Sequence, residues 1–328
     1  YNENKKLQTL PNIDINIKCG DSLIQKYPVR VGKSILNNVN EDSEVGKLIS
    51  QYATKVNLYK EADGKQAKAQ LQADIAHIKK LIGENAQPDL FDAKAGDSVY
   101  FNSLEWMLEF PEVWNGQGEF IGFDVVIGNP PYIFNRNLEE RVRKLYAHKA
   151  GKTDSYVYFI YLGLSIARKG GFLSFITPNT YFTLTSHADL RKNLLKYSCL
   201  EMTYTGYCFS DAFVETMIFQ LVNTEQETGH VNYYDSLNFS SCYECDKQVF
   251  KRNILHRFFV PNQQNIDLYN TIQAPLIGLY EQGKKTLTRD SSIASNVRRD
   301  NIKTYSESLQ PGSLTFLGLI SDGDQEIG

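Results

Sequence analysis

The sequence has few of the features that mark secreted, membrane-spanning or metal-binding proteins. Only 5 of its 328 residues are cysteine, and this odd, scattered set predicts no disulfide framework and favours a reducing cytoplasm. No apolar run approaches the roughly 20 residues that a membrane span needs, and residues 1 to 12 lack the apolar centre of a signal peptide. Cys242 and Cys245 form a single CxxC pair. Because a closed zinc site needs four ligands, we expect no metal site.

A strong charge of either sign is also missing. The 35 basic and 38 acidic residues give a net charge of −3, which neither predicts nor excludes a nucleic-acid partner, because a local basic face is sufficient for binding. Residues 135 to 153 are a candidate for such a face. Their basic members are Arg136, Arg141, Arg143, Lys144, Lys149 and Lys152. The run could contact DNA phosphates, or it could be a solvated helix, since Glu139 and Glu140 interrupt it.

Apolar periodicity predicts an α/β fold with a helical insertion. Two stripes with helical spacing lie within residues 43 to 83, separated by a turn at Asp63-Gly64. They predict a helical hairpin within an insertion over residues 43 to 98. Elsewhere strands alternate with helices, as in a doubly wound sheet, and the late strands follow one another without a helix, which favours antiparallel pairing. The predicted strands lie near residues 13 to 19, 123 to 127, 172 to 177, 200 to 205, 215 to 222 and 231 to 235.

Local residue types predict one turn and the two ends of one helix. The first strand is expected to end in an acidic turn at Asp21. Further on, Asp154 and Ser155 are expected to cap a helix that Gly170-Gly171 ends.

The stretch FDVVIGNPPYIF, residues 123 to 134, is the most informative one. An apolar strand that we expect to be buried runs into Asn129-Pro130-Pro131-Tyr132, and prolines cannot continue a ladder because they lack the N–H donor. The Asn129 amide oxygen and the Pro130 carbonyl can both accept hydrogen bonds, and the proline rings hold them in place. Two fixed acceptors suit a planar amino group such as the exocyclic amine of a base, on whose ring Tyr132 can stack. The pattern favours positioning and polarisation of an amine nitrogen toward an electrophile, without a metal.

This string resembles motif IV of the amino-methyltransferases that act on adenine in DNA, and further segments follow in that family's order. These segments are NIKCGDSL, EWMLEFPEVW, DSYVYFIYLGL, GGFLSFITPNTYF and GYCFSDAFVETMIFQL. The set is similar to the large adenine methylases of type IIG restriction–modification and BREX-type phage-defence systems over about residues 10 to 225. The resemblance implies a Rossmann-like class I S-adenosylmethionine-dependent methyltransferase fold, double-stranded DNA as partner, and site-specific methylation of N6 in a flipped adenine.

The resemblance also implies roles for particular residues. Asp21 would bind the adenine of S-adenosylmethionine, with Ser22 and Asn129 as further cofactor contacts. Tyr132 would stack on one face of the target base and Phe209 on the other. The implied catalytic residues are Asn129, Pro130, Pro131 and Tyr132.

The chain departs from the family in its glycines. The glycine-rich cofactor loop and the acidic residue that follows it are not found, because the available pairs, Gly116 with Gly118 and Gly170-Gly171, stand in the wrong place. We therefore expect the sheet to lack its first strand–helix units, and the chain, which does not begin with methionine, to start inside a longer protein. Residues 1 to 262 are expected to form the second part of the methyltransferase core. Residues 263 to 328 are expected to form a linker and the beginning of a target-recognition domain.

Other functions stay open at this point. NPPY also occurs in enzymes that methylate a protein glutamine or an RNA adenine, and cytosine N4 is another possible acceptor. A different class is a DNA-binding specificity fragment with no catalysis of its own, which the missing glycine-rich loop favours. A restriction nuclease domain or subunit could accompany the enzyme elsewhere in the parent protein.

Overall fold

A computed structural model of the protein describes residues 16–25, 29, 31–32, 43–85, 102–115, 119–210 and 213–273. The start of the first predicted strand, the exit of the insertion and the predicted target-recognition region beyond residue 273 lie outside the described residues. The chain divides into two compact units, Tyr1–Leu173 and Ser174–Gly328. The boundary near residue 263 that the sequence suggests stays a prediction.

The described residues form both helices and strands. The helices are α1 (Glu44–Glu61), α2 (Lys65–Asn85), α3 (Trp106–Glu109), α4 (Glu140–Ala150), α5 (Ser155–Ile166), α6 (Ala188–Leu194), α7 (Lys247–Arg252) and α8 (Gln263–Leu268). The strands are β1 (Phe123–Gly128), β2 (Ala167–Pro178), β3 (Tyr197–Gly206), β4 (Thr216–Glu225), β5 (His230–Tyr234) and β6 (Cys242–Asp246). They form one sheet in the order β1-β2-β4-β3-β5-β6.

The sheet is mixed. Strand β3 pairs antiparallel with β4 and parallel with β5, and β5 pairs antiparallel with β6. The predicted α/β class is therefore confirmed. The predicted antiparallel pairing of the late strands is confirmed for β3 with β4 and for β5 with β6, but not for β5 with β3. In the described part of the chain, no helix is both long and apolar enough to cross a membrane.

The predicted helical hairpin is present as α1 and α2. Its two apolar stripes are buried, as shown by Ile49, Tyr52, Val56, Ile75, Ile78 and Ile82. The Ser43 hydroxyl caps the start of α1 by accepting from the Gly46 N–H at 3.0 Å. Lys55 on α1 donates to Asp74 on α2 at 2.6 Å, so an ion pair also joins the two helices.

Two local predictions are wrong. Residues 16 to 19, the described part of the first predicted strand, form no strand, and Asp21 makes only an isolated parallel bridge with Ser103. Gly170-Gly171 does not end a helix, because α5 ends at Ile166 and both glycines lie within β2. A Cβ on Gly171 would lie 2.8 Å from the Phe123 carbonyl oxygen, so this glycine permits a close approach of two backbones.

Strand β1 is only partly buried. Val126 is 8% exposed, whereas Val125 and Ile127 are 57% and 79% exposed. The expectation of a buried strand is therefore wrong for Val125 and Ile127. Among the described strands, β1 is at one edge of the sheet.

The second unit contains a buried arginine that binds backbone carbonyls. Arg191 of α6 has no exposed surface. Its guanidinium donates to the carbonyl oxygens of Tyr181, Leu184 and Leu255 at 2.6 to 3.0 Å. These bonds hold the segment that follows β2 against the chain around residue 255.

Candidate active site

The candidate site is the turn Asn129-Pro130-Pro131-Tyr132, directly after β1. Asn129 and Pro131 are exposed, Pro130 is buried and Tyr132 is half-buried. Asn129 is thus accessible to solvent beside a buried proline. The acceptor pair that the sequence predicts, formed by the Asn129 amide oxygen and the Pro130 carbonyl, stays a prediction.

The first turn of α5 holds this turn in place. Ser155 has no exposed surface, and its hydroxyl donates to the Pro131 carbonyl oxygen while accepting from the Ile133 N–H at 2.8 Å. The Ser155 N–H donates to the Ile133 carbonyl oxygen at 3.0 Å. One residue of α5 therefore satisfies three backbone groups of the turn and of the residue that follows it.

Asn135 continues the attachment. Its backbone N–H donates to the Asp154 carboxylate at 2.8 Å, and its side-chain amide donates to the Thr153 carbonyl oxygen and to the Tyr158 hydroxyl, each at 2.9 Å. Asp154 occupies the N-cap position of α5 but makes no side-chain cap bond. The predicted capping role of its carboxylate is therefore wrong, since that carboxylate binds Asn135.

The acidic turn at Asp21 is also well defined. One carboxylate oxygen of Asp21 accepts from the Leu23 N–H at 3.0 Å, and the other lies 4.0 Å from the Arg141 guanidinium on α4. The Ser22 carbonyl accepts from the Trp106 indole at 3.1 Å. Burial, followed by the negative charge of Asp21, raises the pKa of Tyr146 on α4 well above its ordinary value. The helix after the candidate turn thus lies against the Asp21 turn.

The six basic residues of the predicted phosphate-binding run differ in their surroundings. Arg141 pairs with Glu139 at 2.6 Å and is near Asp21, so carboxylates already offset its charge. Lys144 bonds to Glu140 at 2.8 Å, and this hydrogen bond lowers the pKa of the Glu140 carboxyl.

Arg136 has a distinct position close to the candidate turn. It is exposed, and its guanidinium lies 5.4 Å from the centre of the exposed Phe134 ring. Arg143 is half-buried, and Lys149 and Lys152 are exposed. DNA contact by all six stays a prediction.

Phe209 belongs to the second unit. It is half-buried and lies between β3 and β4, and its stacking on a target base stays a prediction. In the same unit, a hydrogen bond links the end of β2 to the start of β4. The side-chain amide of Asn179, directly after β2, donates to the carboxylate of Glu215, directly before β4, at 2.9 Å. Among the described residues, no three His, Cys, Asp or Glu side chains are grouped as metal ligands would be.

Sequence reasoning missed three contributors to the site. The sequence predicts only a helix cap for Ser155, no role for Asn135, and phosphate contact for Arg141. Their contacts join residues 18 to 120 positions apart in the chain, and such long-range contacts leave no local pattern in a single sequence.

The chain matches a known protein family over the region that contains this site. Residues 31–207 match the Eco57I restriction-modification methylase family. This is more than half of the chain, and the protein belongs to that family of restriction–modification methyltransferases. The resemblance to a restriction–modification methylase is therefore confirmed, and the mixed sheet agrees with the α/β class of fold that it implied.

Individual relatives match shorter stretches. The putative type II restriction enzyme and methyltransferase RM.MjaORFECS2P of Methanocaldococcus jannaschii is 29% identical over 119 residues, covering 35% of this chain and 10% of that protein. The type II methyltransferase M.TthHB8I of Thermus thermophilus is 28% identical over 107 residues, covering 29% of this chain and 25% of that protein. The matched region thus spans a tenth and a quarter of the lengths of these two relatives.

Solved structures show weaker likenesses. A nuclease-deletion mutant of the Type ISP restriction-modification enzyme LlaGI, in complex with a DNA substrate mimic, has a TM-score of 0.35 at 18% identity, covering 44% of this chain and 19% of that one. A structure from a type I restriction–modification system has a TM-score of 0.37 at 10% identity, covering 84% and 63%. At these TM-scores and identities, the similarity to the solved structures supports no statement about function.

Proposed function

We propose that the protein containing this chain is a site-specific DNA methyltransferase that modifies N6 of a flipped adenine in double-stranded DNA. We place the enzyme in the cytoplasm. The observation that supports the proposed activity most is the exposed Asn129 beside the buried Pro130, on a turn that α5 holds in place. Membership in a restriction–modification methylase family favours DNA over a protein glutamine or an RNA adenine as substrate.

The proposed chemistry is positioning of an amine. The two N–H bonds of the adenine amino group donate to the Asn129 amide oxygen and the Pro130 carbonyl, which keeps electron density on the nitrogen. Tyr132 stacks on the base and contributes about 1–3 kcal/mol of binding. S-adenosylmethionine, when bound, supplies an electrophilic methyl group. Fixed acceptors cost no reorganisation when the nitrogen attacks.

The Asp21 turn fits the adenine end of this cofactor. A carboxylate is an acceptor-only group, which suits an exocyclic amine. The Leu23 N–H orients one of its oxygens, and the side chain remains 28% exposed. Asp21 and Ser22 would therefore hold the cofactor adenine at the turn that α4 packs against.

The modified base can be identified directly. We expect that the full-length protein, expressed in a host without its own adenine methylation, places N6-methyladenine at one defined DNA motif. Sequencing with modification detection gives the motif, and mass spectrometry of digested DNA gives the base. Methylcytosine instead of methyladenine, or unmodified DNA with methylated RNA or protein, would show that the assigned substrate is wrong.

The basic run predicts a dependence of DNA binding on salt. If Arg136 contacts a phosphate, Arg136→Gln should reduce the slope of log K against log salt concentration by about 0.9, because one fewer counterion is released. Lys80→Gln is a suitable control, since this lysine of α2 is 75% exposed and lies outside the run. Fluorescence anisotropy with a DNA duplex at several salt concentrations measures both slopes. Equal slopes for wild type and Arg136→Gln would remove Arg136 from the DNA contacts.

A further inference from the structure

The turn that carries Asn129 has few backbone N–H groups that can donate hydrogen bonds. Pro130 and Pro131 lack an N–H, so ladder bonds cannot fix this part of the chain. The Pro131 carbonyl and the Ile133 N–H are polar groups that need partners. Both of them bind the same atom, the hydroxyl oxygen of Ser155.

These two groups lie on either side of Tyr132. The Pro131 carbonyl belongs to the peptide plane that enters Tyr132, and the Ile133 N–H belongs to the plane that leaves it. Because peptide units are planar, the backbone around Tyr132 has only two soft dihedral angles, which relate these two planes. A single hydroxyl that binds both planes therefore restrains both angles, and with them the direction in which the Tyr132 ring leaves the backbone.

Ser155 is itself firmly placed. It has no exposed surface, and its own N–H donates to the Ile133 carbonyl oxygen at 3.0 Å. The Asn135 N–H binds the neighbouring Asp154 carboxylate at 2.8 Å, which attaches the next part of the segment to the same helix start. The bonds on both sides leave little freedom for the hydroxyl to move away from the turn.

We propose that Ser155 is a positioning residue that sets the backbone of Tyr132, and through it the ring that stacks on the target base. The proposal rests on the proposed function, in which Tyr132 contacts the base. Serine is suited to the position because its hydroxyl donates one hydrogen bond and accepts others from a small side chain. Alanine would keep the volume but lose both bonds.

A double-mutant cycle in the full-length protein tests this dependence. Ser155→Ala should lower kcat for DNA methylation by about 10- to 100-fold, the loss expected for a misplaced contact, while affinity for S-adenosylmethionine stays unchanged. If Ser155 acts through Tyr132, the loss should almost disappear in a Tyr132→Ala background, because the two residues act as a unit. Equal losses in both backgrounds would overturn the proposal.

Two further variants separate positioning from stability. Ser165→Ala is a matched control on the same helix, since its hydroxyl bonds only to the Leu162 carbonyl within α5 among its described contacts. It should leave kcat unchanged. Ser155→Thr keeps the hydroxyl but adds a methyl group in a site with no exposed surface, so it should lower the melting temperature while restoring most of kcat. If kcat instead follows the melting temperature across these variants, the role of Ser155 is merely structural.

Hydrogen exchange at the Ile133 N–H tests the positioning role of Ser155 without requiring a substrate. The Ile133 N–H loses its acceptor in Ser155→Ala, and its exchange should accelerate while the amides of β1 and α5 keep their rates. Absence of methyl transfer by the wild type would refute the proposed function and leave this measurement intact. An unchanged exchange rate at Ile133 would refute the positioning role even in an active enzyme.

Discussion

Replacing Asn129 by alanine is expected to reduce kcat for DNA methylation by about 10²- to 10³-fold, the usual loss when one preorganised polar contact to a reacting group is removed. The side chain is exposed at the end of β1, so its loss should change stability by no more than about 0.5 kcal/mol. The effect should therefore appear in kcat, with little change in the melting temperature or in the affinity for S-adenosylmethionine.

Matched variants sharpen this expectation. Asn137 is another exposed asparagine, eight positions further along, and Asn137→Ala should leave kcat unchanged. Asn129→Asp keeps acceptor oxygens at the same place and should lose less activity than Asn129→Ala. Single-turnover methylation of a duplex that contains the recognised motif measures all three. If Asn129→Ala retains the wild-type rate, the amine is held by other residues and the proposed mechanism is wrong.

Much of the fold can be predicted from local patterns in the sequence. The apolar stripes around Ile49 and Ile75 specify the hairpin of α1 and α2, because helical spacing puts each set on one face. The pattern also predicts most of the strands and the turn at Asn129. In each case the information lies within about ten neighbouring residues.

The remaining differences arise from contacts that are distant in the sequence. Gly171 looks like a helix end, but it lies in β2 where the Phe123 carbonyl approaches closely. Asp154 looks like a helix cap, but its carboxylate binds the Asn135 backbone. Local residue type narrows the options for each of these positions, and tertiary contacts decide among them.

Gly122, directly before β1, occupies a position that only glycine fits without strain. Its φ is +87°, and an added Cβ would lie 2.6 Å from the Arg168 nitrogen and 2.8 Å from the Ile166 carbonyl oxygen. These are backbone atoms at the junction of α5 and β2, and they cannot move aside as a side chain can. We expect Gly122→Ala to lower the free energy of unfolding by about 2–5 kcal/mol, the sum of a left-handed backbone and an overpacked core.

Gly64 provides a control with nearly the same backbone angle. Its φ is +92°, and nothing lies within 4 Å of an added Cβ. Gly64→Ala should therefore cost only the conformational part, about 1–2 kcal/mol, and urea unfolding of both variants measures the difference. A larger loss for Gly122→Ala establishes that β1 and the α5–β2 junction need this close approach. Equal losses would mean that the two backbones can separate without cost.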